Sequence, residues 1–108
     1  MLNDMVGVAE HNLRQALAIQ PDFVEAHGVL GALYRKTQQW PMAIDEYSQA
    51  IALEDKLQLR HQSVYLVGRA MAYEGAGDGA RAVRDYLEAC RIDVKVCESL
   101  RKSAQAKS

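Results

Sequence analysis

The 108-residue chain is 49% hydrophobic and 25% charged, with a formal net charge of −1. That balance belongs to a globular domain with one core and excludes a disordered tail, and no apolar run approaches the ~18 residues of a membrane span. Two cysteines are too few for a disulfide framework, and Asp4, Glu10 and Arg14 ahead of Pro21 do not read as a secretory signal.

Sixteen alanines against two prolines favour long helices over strands and turns. The small net charge hides a split. Residues 1–55 carry three Lys/Arg and eight Asp/Glu, a net of −5, and residues 56–108 carry ten and six, a net of +4. Such a split bears on partners and assembly rather than on fold.

In chain order, the first helix is expected over 4–19, ending at Pro21-Asp22. Asp22 as N-cap and Glu25 three residues later form a capping-box arrangement for a helix over 23–37. Gln38-Gln39-Trp40-Pro41 reads as a tight turn, with Pro41 suited to the first position of a helix over 41–53. Residues 56–74 contain no proline and only Gly68, so one long helix is expected over 56–75. Gly75-Ala76-Gly77-Asp78-Gly79 is a turn, with Asp78 capping a helix over 79–91. Asp93 is placed to cap a last helix over 94–105.

These elements repeat. Ala9-Leu13-Ala16, Ala43-Tyr47-Ala50 and Ala82-Tyr86-Ala89 each set small, large and small residues at steps of four and three, on one helix face. Upstream, Leu30-Gly31 is followed by Tyr34, nine residues before Ala43, and Arg69-Ala70 is followed by Tyr73, nine before Ala82. The step from Ala9 to Ala43 is 34 residues and that from Ala43 to Ala82 is 39.

On these residues the chain resembles the tetratricopeptide repeat family, whose unit is a helix–turn–helix of 34 residues. His27, Leu30, Gly31, Tyr34, Ala43, Tyr47 and Ala50 fill the family slots in one unit, and Leu66, Arg69, Ala70, Tyr73, Ala82, Tyr86 and Ala89 in the next. The resemblance covers residues 6–92 and implies an all-α, right-handed solenoid of antiparallel helix pairs with about six helices. It divides the chain into a half repeat (1–22), a repeat (23–56), a repeat with an extended first helix (57–92) and a capping helix (93–108). The five-residue excess in the longer step is expected to lengthen the helix by about 7.5 Å, with Leu59 continuing the face of Leu66. The first helix lacks its usual partner, so Val6, Leu13 and Leu17 are expected to leave apolar surface uncovered, with a second copy of the chain as the simplest cover.

No reading of the residues supports catalysis, a cofactor or a metal. The glycines at 75, 77 and 79 follow a helix rather than a strand, as a phosphate loop would not. His11, His27 and His61 share no ligand spacing with one another or with the cysteines; His27 fills a packing slot, and His11 and His61 read as surface. Val94, Cys97, Leu100, Arg101 and Ala104 share one face of the last helix, as in a terminal cap. Its cations are too sparse, and lack the interleaved aromatics, for nucleic acid.

The repeat pattern ends a helix near Ile92, which places Cys90 close to Cys97 across two antiparallel helices. That arrangement resembles the cysteine-rich Sel1-like repeats, although their repeat length and cysteine spacing differ. A bridge would place the chain in the periplasm or outside the cell, as part of a longer parent; two small buried thiols would leave the cytoplasm as the default.

The family holds a peptide or helix of a partner protein in the concave face of its first helices. Carried onto this chain, the groove positions are Glu25, Gly28, Ala32, Arg35 and Lys36 in one unit and Val64, Val67, Met71 and Glu74 in the next. Their centre is small and apolar, with charges towards the helix ends. Gly28, Ala32, Val67 and Gly68 stand where chaperone co-factors of the family carry the Lys and Asn of a carboxylate clamp, so that clamp is not expected. Internal packing against the next helix is the competing reading of Gly28 and Ala32. The function implied is a non-enzymatic protein-interaction module. The alternatives are a self-associating module joined through the first helix, or an interaction domain cut from a larger enzyme or secretion component.

Overall fold

The computed structural model describes the backbone of residues 2–107 and the side chains of residues 5–102. The expected place of Ala104 on the last helix lies outside the described side chains. Six helices occur in the order α1 (Leu2–Ile19), α2 (Val24–Lys36), α3 (Trp40–Lys56), α4 (Ser63–Gly75), α5 (Gly79–Ile92) and α6 (Val94–Lys107), and no strand is present among the described residues. Each helix packs on the next, and α2 also packs on α4. Short links between packed neighbours make those pairs antiparallel. The molecule measures 44 × 37 × 20 Å. Its thin dimension is that of two helix diameters. The radius of gyration, 14.5 Å, exceeds the ~13 Å of a compact domain this long, as a two-layer slab should.

The core is built from the recurring small–large–small face. Ala43, Ala50, Ala82 and Ala89 are fully buried, and Leu30, Tyr34 and Tyr47 form one core cluster with Ala43 and Ala50. Glycines receive the aromatic rings. A Cβ on Gly31 would stand 2.9 Å from Cγ of Tyr47, and one on Gly68 would stand 2.6 Å from Cε1 of the same ring. Tyr47 is therefore wedged between α2 and α4. In the same way, a Cβ on Gly28 would overlap the ring of Tyr65.

Three helices end alike. The N–H groups of Gln39, Leu59 and Asp78 reach back to the carbonyls of Tyr34, Glu54 and Tyr73, each across five residues. The residues before them, Gln38, Gln58 and Gly77, take φ of 62°, 57° and 83°. This is the reversal that closes a helix through one left-handed residue. Asp78 then caps α5 by accepting from the Arg81 N–H at 3.2 Å, and the Lys95 N–H donates to Asp93 at 3.0 Å at the start of α6.

Three expectations need correction. No long helix spans 56–75: α3 continues to Lys56, and residues 57–62 form a loop before α4. Helices α2 and α4 are both 13 residues long. Tyr65 must sit on Gly28, which fixes where α4 begins, so the extra residues are left to the loop. Leu59 is accordingly 51% exposed and extends no face. Second, α2 begins after Phe23 with no side-chain cap, so Asp22 and Glu25 make no capping box. Third, Leu13 and Leu17 pack against the core and Val6 is half-buried, whereas the exposed large apolar residues described on α1 are Met5, Val8 and, at its end, Ile19. On α6, Cys97 and Leu100 are half-buried but Val94 and Arg101 are exposed.

Buried polar groups are paired across helices. His27 Nδ1 lies 2.9 Å from a carboxylate oxygen of Glu46, and its Nε2 lies 3.0 Å from the Pro21 carbonyl. Arg69 meets Asp85. Glu46 and Asp85 stand at the same step, three residues past Ala43 and Ala82.

Candidate functional site

Packing of α4 beside α2 leaves a cleft of about 400 Å³ along one face of the pair. Glu25, Gly28, Ala32 and Arg35 line it from α2, and Val64, Val67 and Met71 line it from α4. Seven of the nine residues expected in the groove thus share one hollow. Lys36 and Glu74 do not line it. Lys36 is exposed on the last turn of α2, and the Glu74 carboxylate is turned away to accept the Tyr86 hydroxyl.

The floor is set by the glycine–tyrosine contacts. Gly28 and Gly68 are buried under Tyr65 and Tyr47, so packing and cleft lining coincide at these positions. The rim is apolar and open, with Val64 59%, Val29 52% and Met71 41% exposed. Val67 also borders a second hollow of about 220 Å³, shared with Tyr86 and with Lys95, Val96, Ser99 and Leu100 of α6. The trough therefore continues from α2 past α4 to α6.

Charge sits at the cleft ends. Glu25 lies in the first turn of α2 and Arg35 in the last. Burial, then the negative charges of Glu25 and Glu54, push the Tyr65 phenol above its ordinary range. At the other end, burial and the hydrogen bond to Glu74 raise the Tyr86 phenol, while the nearby Arg35 charge lowers it. The Nε of Arg35 is buried and has no hydrogen-bond partner. A buried donor left unpaired costs about 1–3 kcal/mol. Among the described residues no carboxylate forms an ion pair with Arg35 or Lys36.

Met5, Val8, Ala9 and Asn12 of α1 surround a separate hollow of about 410 Å³. Cys90 and Cys97 face each other across α5 and α6 at disulfide-bonding distance, with Cα atoms 5.0 Å apart. Among the described residues no group of three or more His, Cys, Asp or Glu side chains is placed to hold a metal ion. His11 is exposed, His27 is buried against Glu46, and His61 contacts Asp55. No helix among the described residues is long and apolar enough to cross a membrane.

Neither a protein-family model nor a curated protein matches this chain.

Sequence reasoning missed Val29, Tyr47 and Tyr65 as cleft residues, and named Gly68 only as a clamp position. Tyr47 was legible only as a packing residue, because its ring reaches the cleft between two glycines. The signal for Tyr65 was Gly28 itself, since a glycine inside a helix needs a large neighbour to justify its cost. Glu54 was also missed. It is 1% exposed and accepts the Gln62 N–H at 3.0 Å, which ties the 57–62 loop to α3.

Proposed function

We propose that the chain is a non-enzymatic protein-interaction module of the tetratricopeptide type, a solenoid of helix pairs whose α2–α4 cleft takes a peptide or helix of another protein. The observation that supports this most is the convergence of Glu25, Gly28, Ala32, Arg35, Val64, Val67 and Met71 on one apolar cleft. Those residues come from two units of the repeat pattern and from different helices. A narrow trough with a small-residue floor and exposed aliphatic rims suits buried side chains of a linear partner.

The test is photo-cross-linking from a reactive side chain placed at Met71, followed by affinity measurement with the recovered protein. Met71→Glu puts a charge on the cleft rim and is expected to weaken binding. Met42→Glu, on exposed α3 surface outside the cleft, is expected to leave it unchanged. A partner that binds Met71→Glu as tightly as the parent overturns the assignment.

A specific observation favours self-association as a second reading. Ala43 and Ala82 are covered by the preceding helix, at 0% and 1% exposure, but Ala9 at the equivalent step stands half-buried beside the α1 hollow. A second copy would bring its basic half, net +4 over residues 56–108, to this acidic half, net −5 over residues 1–55. Light scattering at two salt concentrations tests it, and a monomer throughout overturns it. The spacing of Cys90 and Cys97 favours an oxidising compartment for the module.

A further inference from the structure

Resting on the cleft reading above, we infer that the ligand is an aliphatic peptide segment with an acidic side chain at its Arg35 end and a basic one at its Glu25 end. Three features of the cleft carry this. Between its charged ends the lining is Gly28, Val29, Ala32, Val64, Val67, Gly68 and Met71, with the Tyr47 and Tyr65 rings as the floor, so aliphatic groups are favoured over polar ones.

The second feature is Arg35. Its Nε is a buried donor without an acceptor, on the cleft wall. Glu74 accepts the Tyr86 hydroxyl and forms no ion pair with Arg35. A guanidinium in the cleft lining that forms no ion pair among the described residues is matched best by a carboxylate on the ligand.

The third is the spacing of the charges. Glu25 and Arg35 are ten residues apart on one helix, a rise of about 15 Å. Both ends complement the α2 dipole, and both residues also line the cleft. Opposite charges at the two ends give the cleft a direction, so a ligand seats one way round.

The test uses a phage-displayed library of random peptides of about ten residues, long enough to cover ~15 Å whether extended or helical. It is panned on the full chain, on Arg35→Glu and on Met71→Glu. Displayed peptides fused at their C-terminus have no free carboxylate there, so an acidic preference reports a side chain. The parent is expected to enrich aliphatic peptides flanked by Asp or Glu on one side and Lys or Arg on the other. Arg35→Glu is expected to replace the acid by a base, and Arg35→Gln to weaken an enriched peptide about tenfold. Aliphatic peptides that Met71→Glu abolishes, but with no acidic bias or one that Arg35→Glu leaves in place, overturn the charge assignment and spare the cleft. Absence of any peptide sensitive to Met71→Glu overturns the cleft reading itself. Thermal melts of each variant show whether it folds, and Arg35→Gln, polar and uncharged, carries the test if Arg35→Glu does not.

Discussion

The guanidinium of Arg69 holds both carboxylate oxygens of Asp85, with Nε and Nη2 each at 2.8 Å. A third bond runs from Nη1 to the Ser48 hydroxyl at 3.1 Å, so Arg69 ties α4 to both α3 and α5. The same step of the preceding unit places Glu46 on His27. In each unit a buried acid of the second helix is answered by a basic group on the first.

Removing one member of such a pair strands the other. Arg69→Ala is expected to cost about 3 kcal/mol, because Asp85 is buried and keeps no other partner for its charge. Asp85→Ala is expected to cost less, about 2 kcal/mol, since Arg69 retains Ser48 and some water. The double variant Arg69→Ala/Asp85→Ala is expected to lose less than the sum. Urea unfolding of all four chains checks this, and strictly additive losses would deny the coupling.

The glycines under the tyrosine rings give a paired expectation. Alanine is the better helix former by about 1 kcal/mol, so an unconstrained glycine gains from the change. Gly7 has open space around its Cβ position, and Gly7→Ala is expected to stabilise by about 0.5–1 kcal/mol. Gly68→Ala meets the ring of buried Tyr47 and is expected to destabilise by about 1–3 kcal/mol despite the same propensity gain. Opposite signs for the two variants in thermal unfolding are the readout. A stabilising Gly68→Ala would mean that the ring gives way freely.

How much of this was legible in the sequence follows from what each signal depends on. Helix α5 and its Asp78 cap were readable because local chemistry decides them: a glycine turn, a capping carboxylate and an apolar face at helical period. The loop at 57–62 was not, because its reversal uses Gln58 in a left-handed conformation and its position is set by where Tyr65 seats on α2. Seven cleft residues were readable as one face of two helices. Glu74 does not line the cleft, because periodicity gives a side chain's face and not its partner, and its carboxylate accepts the Tyr86 hydroxyl. Buried Glu46, Glu54 and Asp85 were hidden by the ordinary reading of charges as surface. Only the matching step of Glu46 and Asp85 after Ala43 and Ala82 hinted at a shared role.

Two carboxylates should titrate stability in opposite senses. Glu10 accepts the Tyr34 hydroxyl at 2.7 Å and lies beside Arg14. Chiefly that hydroxyl bond, aided by Arg14 and opposed by burial, holds Glu10 below the ordinary 4.5. Its contribution is present above 4.5 and is lost as pH falls through the lower folded value. Glu54 is raised above 4.5 by burial, helped by Asp55 and opposed by the Gln62 N–H and His61. Its contribution is complete below 4.5 and is lost as pH rises through the folded value, so ionised Glu54 is a burden at neutral pH. Glu10→Gln is therefore expected to lower the melting temperature at pH 7, and Glu54→Gln to raise it. Both differences should shrink on acidification, that of Glu54 first. Melting curves of the three chains between pH 7 and pH 3 decide it, and a shift of the same sign in both variants would contradict the assignment.

The pairing of Cys90 with Cys97 makes a prediction confined to one end of the molecule. Only Asp93 separates α5 from α6, and the cysteines join the last turn of one to the first turns of the other. A bridge closing so short a loop removes little chain entropy and is expected to contribute about 2 kcal/mol. Among the described side chains of α6, only Val96 and Leu100 besides Cys97 are half-buried and none is fully buried. Reduction should therefore release α6 before the rest of the fold. The oxidised chain is expected to lack free thiols under denaturing conditions. On reduction, amide exchange should quicken across α6 while the centres of α2 to α5 stay protected. Two reactive thiols in material prepared without reductant, or exchange that quickens equally in every helix, would show that the pair does not hold α6 in place.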